Sequence, residues 1–381
     1  MKYPPFCPNP QCPQHNPKVV KNRRRKNLTT FHKHGTRCTL AFGLVQRFRC
    51  APCGTTCSTQ TFSLNYYAKK VINYQELQDL VVSSTSVRAV GRILSCTPAT
   101  VINRCMRFSR QCAAVDAEIL SQVALAEDIV IDGFESYVES KYHPNNINIA
   151  VGSDSSFFYG TTYTQLNRKG RMTDEQKEKA AELKETHKLP VETTVTPIQL
   201  LCAQLSPLIA SAKGRTDTTI YSDKHHSYPQ PISELGSKVV HKQTSSHKPR
   251  TKENSLAPVN YADREFRKDI CEHGRKTICY GKNVNNQTDR LTIYTHWHNY
   301  LKQYRINDPK EQKHLRHADM AGIAKDVVNK ATTKMYTRRK FVSHVWDSLS
   351  WFHKVWWVRL MQNPEAELGS KQYEPQYLTS F

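Results

Sequence analysis

The stretch Glu127–Tyr137, EDIVIDGFESY, restricts the fold more than any other part of the chain. Apolar residues run from Ile129 into Asp132, and Gly133 breaks the run. That pattern predicts a strand buried on both faces that delivers a carboxylate at its C-terminal edge. A second run, TTIYSDKHHSY, delivers Asp223 in the same way. A third acid, Asp263 or Glu265, follows inside VNYADREFRKDICEHGRKT, which is helical in period from Tyr261 to Glu272. Asp263 and Arg267 are four apart and share one helix face, whereas Glu265 points elsewhere. Three separated acids predict divalent-metal chemistry, because three convergent carboxylates can hold two ions about 4 Å apart.

Charge says what such a site would act on. The chain has 381 residues and a formal net charge of +22, too lopsided to be indifferent to polyanions. It favours nucleic acid, with an anionic membrane surface the weaker option, and carries no information on base sequence. Twelve cysteines include two spaced pairs near the N-terminus and otherwise lie scattered, as expected in a reducing compartment with a zinc site. The start, MKYPPFCPNPQC, lacks the apolar core of a signal peptide, and no uncharged apolar run reaches the length of a membrane span. A cytoplasmic location is therefore expected, and no membrane partner. No GxxxxGK[ST] phosphate loop appears, so nucleotide hydrolysis is not implied.

Four segments follow in order. Residues 1–60 read as a zinc ribbon. Cys7-x4-Cys12 and Cys50-Ala-Pro-Cys53, the latter followed by Gly54, form two chelating turns, with Cys38 and Cys57 near enough to substitute. So small a segment cannot build much core, and the metal would supply folding energy. Between the knuckles, KVVKNRRRKN offers Arg23, Arg24 and Arg25 to phosphates. Residues 61–115 read as three helices, the last two forming a helix-turn-helix across the break at Leu94–Thr97. Ser86 or Thr85 caps the second helix, and Thr97 followed by Pro98 caps the third. Thr100, Arg104 and Arg107, with Ala99 and Asn103, would face a DNA groove.

Residues 116–305 read as an α/β domain whose spacing of acids suits an RNase-H-like mixed sheet with flanking helices. In that core the first acid sits on the first strand, the second follows the fourth, and the third comes from a helix packed across the sheet. NINIAVGSDS and SFFYGTTYTQL supply two more strands, antiparallel to the first, with Asp154 at a turn. A charged insert near 168–191 reads as a solvated helix, 196–212 as an apolar helix, and SKVVHKQ as a strand carrying His241. Lys248, Arg250, Arg267 and Arg275 would neutralise phosphates beside the acids, and His225 and His226 lie close behind Asp223. Residues 306–381 read as a helical extension whose tryptophans, Trp346 to Trp357, cluster on an apolar face.

CPNPQC, RFRCAPCGTTCS, SVRAVGRILSCTPATVINR, IDGFESY, YSDKHHSY and the block from VNYADREFRKDICEHGRKT to YLKQYRI together resemble the transposases of the IS1-like bacterial insertion sequences, within the DDE family. The resemblance covers most of residues 1–305. It implies that Asp132 is the first catalytic acid and Asp223 the second. The family's third residue is a glutamate; here the best-placed acid is Asp263, with Glu265 the alternative. It further implies a Mg²⁺- or Mn²⁺-dependent transposase in a prokaryotic, nucleoid-associated setting. Such an enzyme cleaves the ends of its element and transfers the freed 3′-hydroxyl to target DNA. The ribbon and helix-turn-helix would recognise terminal inverted repeats, and pairing two ends requires at least a homodimer.

Overall fold

The computed structural model describes residues 3–358 apart from 27, 187–194, 213–215, 246, 306, 308, 310 and 312–313. The end of the charged insert and the tail beyond Asn363 lie outside the described residues.

The first module holds α1 (Pro17–Arg25) and an antiparallel sheet of β1 (Phe31–Thr39), β2 (Gly43–Cys50) and β3 (Thr56–Ser58), in the order β1-β2-β3. Its core is thin: Phe6, Val20, Phe31, Phe48 and Phe62 pack around the cysteines. Three helices follow, α2 (Tyr74–Val81), α3 (Val87–Ile93) and α4 (Pro98–Leu120). The anticipated caps form: the Ser86 side chain accepts from the Ala89 amide, and Thr97 accepts from Thr100 with Pro98 in the first turn. In α4 the buried Val101, Cys105, Phe108, Cys112, Val115 and Ile119 recur at spacings of three and four, so one stripe of a long helix faces inward.

The main domain is a mixed α/β fold. Its strands are β4 (Ile129–Val138), β5 (Ser140–Gly152), β6 (Phe158–Gln165), β7 (Thr218–Asp223) and β8 (Val239–Thr244), in the order β6-β5-β4-β7-β8. β4, β5 and β6 pair antiparallel; β7 runs parallel to β4, and β8 parallel to β7. As its apolar run requires, β4 is central, with Ile129, Val130 and Ile131 fully buried. Gly133 has a steric reason: a Cβ there would fall 2.3 Å from the Asn146 side-chain nitrogen on β5.

Helices α5 (Asp174–Thr186), α6 (Val195–Ala210) and α7 (Pro229–Ser233) interrupt the strands, and α8 (Ala257–Asp269) and α9 (Val284–Tyr300) follow them. α6 lies on the sheet face where Thr162 bonds the Pro197 carbonyl, and α8 lies on the opposite face, its Phe266 meeting Phe134 edge-on at 5.4 Å. α9 is buried nearly all round between α4 and the sheet side. Its polar residues are matched there: Asp289 accepts from Ser109 and Trp356, and Asn299 bonds both backbone groups of Phe158.

The C-terminal third is built of short helices and loops. After α10 (His317–Met320) and α11 (Lys325–Thr332), the chain makes two single 3₁₀ turns before α12 (Trp351–Trp357). The reason lies in packing, because this segment serves two cores. Phe341 enters the core of the first module against Phe6 and Phe62, while Val342, Val345 and Leu349 pack on Ala114 of α4. His15 of the first module bonds Ser343 at 2.8 Å. Within KTICY, whose composition allows a short strand or a turn, the chain makes a 3₁₀ turn at Thr277–Cys279.

Candidate metal centre and acidic site

Cys7, Cys12, Cys50 and Cys53 come together from two tight turns. The Cys12 amide donates to the Asn9 carbonyl, and the Gly54 amide to the Cys50 carbonyl, with Gly54 in the left-handed region. Cys7 Sγ is 3.5 Å from Cys53 Sγ, Cys12 Sγ is 3.8 Å from Cys50 Sγ, and all four sulfurs lie within 4.8 Å of one another. A tetrahedral zinc with Zn–S near 2.3 Å sets its sulfurs about 3.8 Å apart, so the donor set fits a metal. Burial pushes the Cys7 thiol far up and Cys50 up to about 11. Burial also raises Cys53, but hydrogen bonds from Thr55 and the neighbouring thiols outweigh it and bring it down to about 6. Of the two weighed substitutes, Cys57 is buried beside the cluster but outside it, and Cys38 is exposed on β1.

Asp132 and Asp223 lie on adjacent parallel strands. Asp223 closes β7, but Asp132 is the fourth residue of β4, which runs on through Gly133 to Val138 because β5 keeps pairing with it, so the first acid sits within a strand rather than at its C-terminal edge. The register pairs Ile129 with Ile220 and Val130 with Tyr221, and the same offset carried on to Asp132 sets it opposite Asp223. Asp263 approaches from α8. Phe134, two residues beyond Asp132 on one strand face, touches Phe266, three residues beyond Asp263 on one helix face. The electrostatics agree with that geometry. Burial first, then the Asp223 charge, raises the Asp132 carboxyl to about 6, against the opposing bond from the Gly133 amide. Burial and then Asp132 raise Asp263 to about 7, with Arg267 and Arg250 opposing. Asp263 Oδ1 is buried without a hydrogen-bond partner. A cation is what such a group of raised, partly unsatisfied carboxyls would accept. Among the described residues, however, the cysteines form the only group of three or more donors drawn together closely enough to share an ion. The acids therefore neighbour one another without forming a closed ligand shell.

Glu265 has a different environment. It is 3% exposed and ion-paired with Lys302 and Lys268. The Lys268 pair lies within α8, and the Lys302 pair ties α8 to the residues just after α9.

The basic residues separate by exposure. Arg24, Arg25, Lys248, Arg250 and Arg275 are exposed, while Arg23 is half-buried and bonds the Thr29 carbonyl. Arg267 lies over the Phe134 ring at 4.7 Å, at the edge of the acidic site. Of the α4 residues, Thr100 bonds the Thr97 hydroxyl at 3.0 Å. Arg104 is 6% exposed and bonds the Lys70 carbonyl, and Arg107 stacks on Tyr66. Both guanidiniums thus turn inward, and the exposed cations of this helical region are Arg88 and Arg92.

Sequence reasoning passed over Tyr228. It is buried, hydrogen-bonds Asp132, and feels the charges of Asp132, Asp223 and Asp263. Its one signal was its place within YSDKHHSY, just before α7. His225 and His226 stack on each other, and His225 bonds Ser227. His241 bonds Ser222.

No family model matches the chain, and no curated protein matches its sequence. No helix among the described residues is long and apolar enough to cross a membrane.

Proposed function

We propose that this chain is a DNA transposase that cleaves the ends of a mobile element and joins the freed 3′-hydroxyl to target DNA. The observation that carries the reading is the mutual approach of Asp132, Asp223 and Asp263, from two adjacent parallel strands and one covering helix, with two of the carboxyls raised by burial and mutual charge. The order β6-β5-β4-β7-β8, with the first acid on β4 and the second closing β7, supports an RNase-H-like reading of the sheet. The helices α3 and α4, joined through a four-residue break, support a helix-turn-helix reading, and the four-cysteine module supports a zinc ribbon.

In this reading Asp132, Asp223 and Asp263 hold Mg²⁺ or Mn²⁺, which would supply Lewis-acid activation of the attacking oxygen and stabilise the leaving one. Tyr228 fixes the Asp132 carboxylate by donating to it. Arg250 and Arg267 stand at the rim to receive phosphate charge. Glu265 keeps α8 in place rather than touching the reacting groups. Two element ends would be brought together by at least two copies of the chain.

The test is Mg²⁺-dependent nicking and joining of duplexes that carry the inverted repeats flanking the gene. Wild-type protein cuts and joins, whereas Asp132→Asn and Asp223→Asn bind equally well and do neither. Cutting without joining would mark a nuclease, and binding without any metal-dependent cutting would mark a regulator. Either result overturns the proposal.

A further inference from the structure

In the β1–β2 hairpin of the cysteine module, strand β1 lacks the burial that a sheet strand normally has. Strand side chains alternate between faces, so a strand packed on a core buries every second residue. Along β1 every residue from His32 to Cys38 is exposed, on both faces. Only Phe31 at its base is buried, opposite Cys50. β2 buries Val45, Phe48 and Cys50, so the hairpin is anchored through β2 and presents β1 and its tip outward as an arm.

Its tip is apolar. Leu40 is 84% exposed, Leu44 71% and Phe42 37%. Three such side chains in five residues form an unpartnered patch at the end of the arm. The turn that carries them is held: the Phe42 amide donates to Thr39 Oγ1 at 3.1 Å, and Gly43 supplies the left-handed residue at φ +61°. Behind the tip the arm is basic. Lys33, Arg37 and Arg49 are exposed on it, and a groove beside it is lined by Arg37, Arg47, Lys69 and Tyr67, the tyrosine 82% exposed.

The sequence around the arm shows what it can meet. Before Glu76 there are thirteen lysines and arginines and no aspartate or glutamate. The partner must therefore offer negative charge along the arm and an apolar surface at its end. Duplex DNA has both, in its phosphates and in the faces of its stacked bases. Apolar side chains wedged between base steps unstack them and kink the duplex by about 20–90°.

We infer that this hairpin is a DNA-deforming arm: Lys33, Arg37 and Arg49 straddle phosphates while Leu40, Phe42 and Leu44 wedge into a base step. The inference rests on the DNA-binding reading above and adds a second contact surface to it, separate from α1 and α4.

The experiment uses the full, zinc-loaded chain and a duplex of the flanking repeats carrying 2-aminopurine reporters and an end-to-end fluorescence pair. Leu40→Ser/Phe42→Ser/Leu44→Ser changes only exposed side chains, and its folding is checked by zinc content and circular dichroism. It is expected to bind within about threefold of wild type yet lose the 2-aminopurine signal and the bend. Arg37→Gln/Arg49→Gln is expected to weaken binding about tenfold and to lower the slope of log K against log salt by about 2, for two lost phosphate contacts. Unchanged reporter signals in the tip variant overturn the inference. So does a tip variant whose DNA signals persist while its sedimentation shifts to a smaller species, which would make the arm a protein interface. If wild type binds and cuts while the tip variant behaves identically, this inference fails alone. If wild type binds no duplex, the transposase reading fails with it.

Discussion

Asp263 and Glu265 stand two positions apart on one helix and differ in every respect that matters to chemistry. Asp263 presents an unpartnered oxygen beside Asp132, and Glu265 is enclosed by two lysines. Asp263→Asn should abolish metal-dependent cleavage while leaving the fold intact, as read by cleavage gels beside a melting curve. Glu265→Gln leaves the mostly buried Lys302 without its counter-charge and should cost about 3 kcal/mol in urea unfolding. Cleavage by whatever fraction stays folded should persist. The acids also set a pH dependence. Asp132 near 6 and Asp263 near 7 lie above the ordinary carboxylate range, so the folded state holds protons that the unfolded chain releases. Their penalty is absent below about pH 4, grows through pH 6–7 and is complete above that. The melting temperature of zinc-loaded, Mg²⁺-free protein should therefore fall between pH 5 and pH 8. Added Mg²⁺ should recover it at pH 8 and have little effect at pH 5, and Asp263→Asn should flatten the fall. Tyr228→Phe removes the hydroxyl that orients Asp132 and should slow cleavage about tenfold with DNA affinity unchanged, measured at saturating Mg²⁺.

Among the elements, the strands β4 and β7 and the cysteine turns were readable, and the packing of the C-terminal segment was not. An apolar run ending in an acid identifies a central strand whichever partner it takes, and paired cysteines identify a chelating knuckle through local geometry alone. The C-terminal segment has no such local rule. Its residues Phe341 to Leu349 follow no helical period because Phe341 answers to the cysteine module and Val345 to α4. This coupling makes a prediction about elements. Phe341→Ala should destabilise the cysteine module by about 3–5 kcal/mol, the usual cost of emptying a buried aromatic site. The loss should appear as faster zinc release to a chelator, with the main domain melting unchanged. Cys12→Ser should unfold the same module outright, since its few phenylalanines cannot hold it without the metal.

At the scale of the whole molecule, the residues before Glu76 carry thirteen lysines and arginines and no acid, whereas the candidate acids lie in the main domain, so binding and chemistry should separate experimentally. Exposed cations also lie on α3, on the loop at Lys248–Arg250 and across the main domain, while the candidate site gathers carboxylates on the inner strands β4 and β7 and on α8. A chain carrying both Asp132→Asn and Asp223→Asn should keep the wild-type salt dependence of DNA binding, measured by anisotropy between 50 and 300 mM salt. The sequence by itself determined the buried strand that carries Asp132, the clustering of the four cysteines and the helix caps at Ser86 and Thr97. Each of these depends on residues a few positions apart, where chain geometry leaves little freedom. Only the tertiary structure decided that Asp263 faces the site while Glu265 braces its helix, that Tyr228 reaches Asp132, and that Arg104 and Arg107 turn inward onto the Tyr66–Lys70 segment. Those outcomes depend on which surface packs against which across scores of residues, and burial, not spacing, sets the charge and freedom of each side chain.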